Sequence, residues 1–324
     1  MWAGVAQAQP VASDWEVRPS AALDLWYYGL AAVKFTGPGS LPYYNPAFLT
    51  ALRAERRSRG LRDSRLEMES ARFGDAFRQD TVFEALHFLP LYYSGDDGSR
   101  LIASLQSLSA SRNALAPVFP TSDERKTLRQ FAADLDAERP YLAQSRARAK
   151  LIDDRLIAKL DAQWKSEFLP VLSPYLRELG VRRGVLLVSP ALGSEGRIVR
   201  IGDAEVIAVG MDNSLSPTAP LFAAVRELCF PLVGRIKALT AEATSRLGAI
   251  DMTNRAATRC GAMLLDISNA TMAAEYRRIY LGSTSDERSL SRNFDARFPL
   301  TGATEKSLRG EIGRVMLDTR TIER

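Results

Sequence analysis

Residues Phe222 to Val233 read FAAVRELCFPLV, a nearly continuous apolar stretch that carries one arginine, one glutamate and one cysteine in its middle. Pro220 stands at its head, where a missing N–H costs a helix nothing, so a helix is expected to begin there. Upstream, Gly184 to Pro190 (GVLLVSP) and Arg197 to Gly210 (RIVRIGDAEVIAVG) are apolar, β-branched runs, broken by the turn-like Leu192 to Gly196 and by Gly202-Asp203. They predict a short β-meander, that is, a small antiparallel sheet. Asp212 to Pro220 is a loop rich in Ser, Asn and Pro, and Ala256 to Leu281 predicts a second long helix. Many helices, one small sheet and then more helices define a predominantly helical α+β chain.

The five residues Arg226, Glu227, Leu228, Cys229 and Phe230 stand where a zinc-peptidase helix carries H-E-x-x-H, two imidazoles one turn apart with a glutamate between them. Roughly residues 181 to 282 resemble the zincin-type, gluzincin-like metallopeptidases in this order of strands, motif helix and second helix. The resemblance implies a zinc site with Glu227 as general base and a carboxylate of the following helix, Asp266 or Glu275, as third ligand. Both imidazoles are missing, however. Arg226 is a permanent cation and repels a metal ion, Phe230 has no lone pair, and Cys229 points away from the second ligand position. Arg226, Glu227 and Phe230 therefore mark a degenerate metal site, with no metal and no cofactor expected.

His87 is the single histidine of the chain, within the aromatic segment Thr81 to Tyr93 (TVFEALHFLPLYY). It reads as a hydrogen-bonded histidine at the edge of the core. Glu227 and His87 are the weak catalytic candidates, and no sequence feature places them together. Leu192 to Gly196 lacks the G-x-S-x-G spacing of a nucleophile elbow, and no phosphate-binding loop occurs.

The chain has 324 residues, is 46% apolar, and its longest apolar runs end well short of the roughly 18 residues a membrane span needs. No transmembrane segment is expected. Net charge is +5, and 36 of the 43 basic residues are arginine. The densest stretch, Arg53 to Arg78, holds eight arginines and five acidic residues and reads as a solvated, ion-paired helical face rather than a phosphate track. Without an aromatic stacking platform or a reading motif, nucleic acid is disfavoured as a partner.

Ala6-Gln7-Ala8 followed by Gln9-Pro10 has the small-residue pattern that ends a secretory leader, so residues 1–14 are read as a leader remnant or a disordered tail and the chain as periplasmic or exported. In that compartment Cys229 and Cys260 could be bridged, with buried free thiols as the favoured alternative. Residues 15–180 are expected to form a helical N-terminal domain and 181–324 a mixed, zincin-like domain with a C-terminal helix. Within the first, helices are expected over Ala21 to Val33, from Asn45-Pro46 through Ala54, over Leu101 to Leu115, from a Thr121-Glu124 capping box to Arg139, anew from Pro140, and over Leu151 to Leu179 with kinks or a break at Pro170 and Pro174. In the second, Ser283 to Ala303 is expected to be a polar connection before a last helix from Thr304.

These readings together point to a non-catalytic, zincin-like binding or scaffold protein of the cell envelope, either a binder of a protein or peptide partner or an accessory subunit docked on a membrane complex. The alternatives are an active, peptidase-like hydrolase using Glu227 without a standard zinc site, and a basic nucleic-acid-binding protein.

Overall fold

The computed structural model describes residues 14–33, 44–77, 85–93, 98–108, 119, 121–149, 153–193, 196–211, 216–242, 246–282 and 287–321. The expected leader, residues 1–14, lies outside them except for Asp14. That residue opens β1 (Asp14–Pro19), the outermost strand of a four-stranded sheet completed by β2 (Arg183–Ser189), β3 (Gly196–Ile201) and β4 (Ala204–Gly210). The order is β1-β2-β4-β3, with β1 and β4 each parallel to β2 and only β3 antiparallel to its neighbour. The antiparallel meander is thus corrected to a mixed sheet. Gly202, at φ 65°, makes the tight β3–β4 turn, but β4 then runs back past β3 to pair with β2, and no local pattern announces that return.

The period of two along each strand divides the interior. Leu186, Val188, Ile207 and Val209 enter one core, whereas Leu187, Val206, Ala208 and Val199 enter the other. Both faces are covered, which is why GVLLVS and AEVIAVG are apolar at nearly every position rather than at alternate ones. One layer holds α1 (Ala21–Ala32), α2 (Pro46–Ser58), α3 (Arg65–Met68), α4 (Ser70–Ala76), the 3-10 turn Leu89–Tyr93, α5 (Ser99–Gln106) and α6 (Ser122–Ala149). The other holds α7 (Asp154–Gln163), α8 (Leu169–Glu178), α9 (Ala219–Leu228), α10 (Arg246–Ser268), α11 (Ala270–Leu281), α12 (Glu287–Arg297) and α13 (Gly302–Thr321). The core does not divide at residue 180: Trp15 and Val17 of β1 and residues from Ile157 to Leu179 pack with the C-terminal layer.

Local chemistry sets the helix ends. The Ser20 hydroxyl accepts from Leu23 N–H at 3.3 Å and the Asn45 side chain from Ala47 N–H at 3.0 Å. Thr121 and Glu124 form a reciprocal capping box at 3.1 and 3.0 Å. Four expectations are corrected. Pro140 sits inside an unbroken α6, tolerated in a helix this long with packing around it. The break before Pro170 takes the form of a wide π turn, Trp164–Phe168, which frees the backbone that proline cannot serve. The second long helix is two, because Asn269 caps a new start by accepting from Met272 N–H at 3.1 Å. The polar connection 283–303 contains α12, anchored by buried Leu290 and Phe294. The helix expected over Leu101 to Leu115 is observed to Gln106, and residues 109–118 lie outside those described. Among the described residues no helix is long and apolar enough to cross a membrane.

One acidic side chain is sunk in this apolar frame. Asp24, on the otherwise apolar α1, accepts from the Ser189 hydroxyl at the end of β2 at 2.6 Å and pairs with Arg146 of α6 at 3.0 Å, joining three elements. Burial raises its carboxyl to about 6, against the opposing pull of Arg146 and the Ser189 hydrogen bond. Because the folded value lies above the unfolded one, the folded chain holds more protons between about pH 4 and pH 6, and stability falls as pH rises through that window. Asp24→Asn is expected to flatten this limb by about 2 to 3 kcal/mol relative to the wild type. Urea denaturation of both proteins from pH 4 to pH 7 reads the difference, and parallel pH profiles would contradict it.

Candidate functional site

The residues that resemble a zinc motif sit on α9, which packs against β3 and β4 on one side and α10 on the other. The helix stops at Leu228 and a separate short turn, Phe230–Val233, follows, because Pro231 offers no N–H and crowds the preceding turn. Arg226 is 5% exposed and Glu227 2%. Burying a guanidinium and a carboxylate together is tolerable only when each is hydrogen-bonded. The Arg226 guanidinium meets that condition on all three sides. Its Nη1 donates to Glu227 Oε1 at 2.9 Å, its Nη2 to Asn254 Oδ1 at 3.0 Å and its Nε to Thr258 Oγ1 at 3.2 Å. Thr258 is held in turn by donating to the Asn254 carbonyl at 2.9 Å.

Phe230 faces the same guanidinium, whose Cζ lies 5.3 Å from the ring centroid. The side chains of Arg226 and Phe230 therefore contact each other. Beside them Cys229 reaches into α10 and forms a disulfide with Cys260, with Cα atoms 6.0 Å apart. This corrects the favoured expectation of free thiols: α9 and α10 bring the two sulfurs together, and neither side chain is exposed.

Glu227 is closed in from above. A Cβ built on Gly196, the first residue of edge strand β3, would stand 2.5 Å from Glu227 Cγ and 2.9 Å from Cδ, so the strand backbone lies directly on the carboxylate-bearing chain. Tyr276 of α11, buried, donates to the Thr258 carbonyl at 3.0 Å on the far side. Burial raises its phenol well above the ordinary range, and neighbouring Tyr280 adds to the rise.

The other candidates lie elsewhere. His87 belongs to the opposite layer, where its Nε2 and the Tyr44 hydroxyl are 2.9 Å apart and its carbonyl accepts from Tyr27 at 2.8 Å. Neither of these hydrogen bonds reaches Glu227. Tyr27 stands between them: burial pushes its phenol up, Arg197 pulls it down and Glu227 adds to the rise. Asp266 pairs with Arg277 at the surface, and Glu275 accepts from the Thr218 hydroxyl at 2.8 Å. Among the described residues no group of three or more His, Cys, Asp or Glu side chains is placed to hold a metal ion.

Sequence reasoning missed Asn254, Thr258 and Gly196. The first two carry a signal in retrospect, for a buried arginine demands acceptors and Asn254 and Thr258 are the polar pair, four residues apart, that α10 turns toward α9. Gly196 carries none, because its role depends on the long-range placement of β3 over α9. No protein-family model, curated protein or solved structure matches the chain.

Removing one partner of the buried pair is expected to cost far more than removing both. Arg226→Met should destabilise by about 3 to 5 kcal/mol, and the double variant Arg226→Met, Glu227→Leu should recover most of that loss in urea denaturation. Additive losses in the two substitutions would contradict the coupling. Thiol titration of the unfolded, unreduced chain should find no free thiol, and two after reduction, with reduction lowering stability by about 3 kcal/mol.

Proposed function

We propose that this chain is a non-catalytic, zincin-like binding or scaffold protein of the cell envelope, with a protein or peptide partner. The observation that carries this reading is the buried Arg226–Glu227 pair with its Asn254, Thr258 and Phe230 neighbours, which fills the place of a metal centre with protein groups. A general base must reach a water molecule and must not be held by a permanent cation. Glu227, 2% exposed and bonded to Arg226, meets neither condition.

Two further features support the reading. The Cys229–Cys260 bridge fits an oxidising compartment, as export to the periplasm or cell surface would give. Edge strand β3 runs across the site and, among the described residues, leaves one side of the sheet without a strand neighbour, the geometry by which an extended peptide adds a strand. On this reading the old cleft has become a fixed platform, and affinity comes from backbone pairing and pockets along β3 rather than from chemistry.

Purified protein incubated with unstructured peptide and ester substrates should show no turnover that Glu227→Gln abolishes, and a strong chelator should leave its thermal midpoint unchanged. Copurification from the native membrane fraction should bring a partner protein in stoichiometric amount. Turnover lost in Glu227→Gln, or a stoichiometric zinc ion in the purified chain, would overturn the reading.

A further inference from the structure

A cleft of about 380 Å³ opens in the N-terminal layer, on the side of the sheet away from Glu227, where the end of α1 meets α2 and α3. Its volume falls in the range of small-molecule sites. Ala32 and Met68 supply apolar wall, and Arg53, Arg57, Asp63 and Glu67 supply charge. Met68 is 67% exposed, an unusual position for so large an apolar side chain on a charged surface.

The ion pairs around the cleft sort its charges into used and unused. Arg56, which also lines it, is spent: it pairs with Glu138, donates from Nη1 to the Arg62 carbonyl at 3.1 Å, and lies 4.2 Å over the Tyr141 ring. Arg53 gives its Nε to Glu67, which leaves its terminal nitrogens for another acceptor. Arg57, one helical turn further along the same face of α2, gives only its Nε, to the Arg53 carbonyl at 3.3 Å. Across the cleft Asp63 forms no ion pair or hydrogen bond among the described residues, with Arg57 or with any other group. Two guanidinium ends and one carboxylate thus face a shared space unpaired, beside an apolar wall.

The arrangement is held in place. Gly60, at φ 64°, turns the chain after α2, Leu61 N–H donates to the Arg56 carbonyl at 3.1 Å, and the Arg62 carbonyl is fixed by Arg56 itself. The loop that presents Asp63 is therefore tied to the helix that presents Arg53 and Arg57, and binding need not order it.

We propose that this cleft binds a small zwitterion of the apolar α-amino-acid type. Its carboxylate lies against the terminal nitrogens of Arg53 and Arg57, its ammonium against Asp63, and its side chain against Met68 and Ala32. Paired guanidinium forks suit a planar carboxylate. A dianion such as a phosphomonoester is disfavoured, since Asp63 and Glu67 share the lining and would repel the second charge. The site is independent of the Arg226–Glu227 centre and of the role proposed for it.

Isothermal titration calorimetry of the full chain with L-leucine, L-phenylalanine and 4-methylpentanoate, a leucine analogue lacking the amine, tests the assignment. At least one amino acid should give saturable heat, and 4-methylpentanoate should bind at least tenfold more weakly. Arg57→Gln should weaken both kinds of ligand at least tenfold, whereas Asp63→Asn should weaken only the amino acid. Both side chains are exposed, so both variants should fold, and matching thermal midpoints with the wild type verify it. No saturable heat from either amino acid, equal binding of the amine-free analogue, or binding indifferent to both substitutions would each overturn the proposal.

Discussion

A guanidinium and a carboxylate buried side by side, Arg226 against Glu227, constrain everything packed around them. Neither charge tolerates the interior alone, and a buried pair contributes little net stability once desolvation is counted. Its effect is on arrangement. The fork of Arg226 fixes where Asn254 and Thr258 must stand, and so fixes the register of α10 against α9. Two residues beyond Glu227, just past the end of α9, and two beyond Thr258 on α10, the Cys229–Cys260 bridge closes the same interface covalently. The two helices are joined by an ion pair, a polar clasp and a disulfide.

The sheet imposes the second constraint. Because β4 pairs with β2 and β3 hangs on the outer side of β4, the first residue of β3 is delivered over α9, and only a glycine at position 196 leaves room for the Glu227 side chain beneath it. The opposite edge is treated differently. Val17 N–H of β1 donates to Asp161 of α7 at 2.9 Å, so a side chain blunts that edge, while among the described residues no strand covers β3.

How much of this could be read from the residues follows from the range of the interactions. Caps and turns were legible: Asn45, Thr121 with Glu124, and Gly202 each act within four residues of themselves. The apolar runs of β2 and β4 and the helix carrying Arg226 and Glu227 were legible for the same reason. Strand order was not, since β1 meets β2 across more than 160 residues and its sequence, DWEVRP, carries two charges beyond Asp14 and ends in proline. The disulfide was legible only as a choice, because spacing says that two cysteines on consecutive helices can meet and not that they do. The placement of His87 in the other layer, apart from Glu227, likewise depended on which face of the sheet each helix covers.

The two layers differ in how they handle charge, and the difference bears on where binding is to be sought. In the C-terminal layer the charged groups that reach inward are matched: Arg226 has its three acceptors, and Arg259, 4% exposed by side chain, spans Asp295 at 2.7 Å and Glu305 at 3.0 Å. Such groups lock helices together. In the N-terminal layer α2 carries more guanidinium groups than its acidic neighbours satisfy, and the surplus gathers at one cleft instead of spreading over the surface. A solvated ion-paired face needs no such concentration, nor an apolar methionine beside it. Unmatched charge next to exposed apolar surface suits the recognition of a small molecule, whereas matched charge deep in a helix interface is the condition of a structural joint.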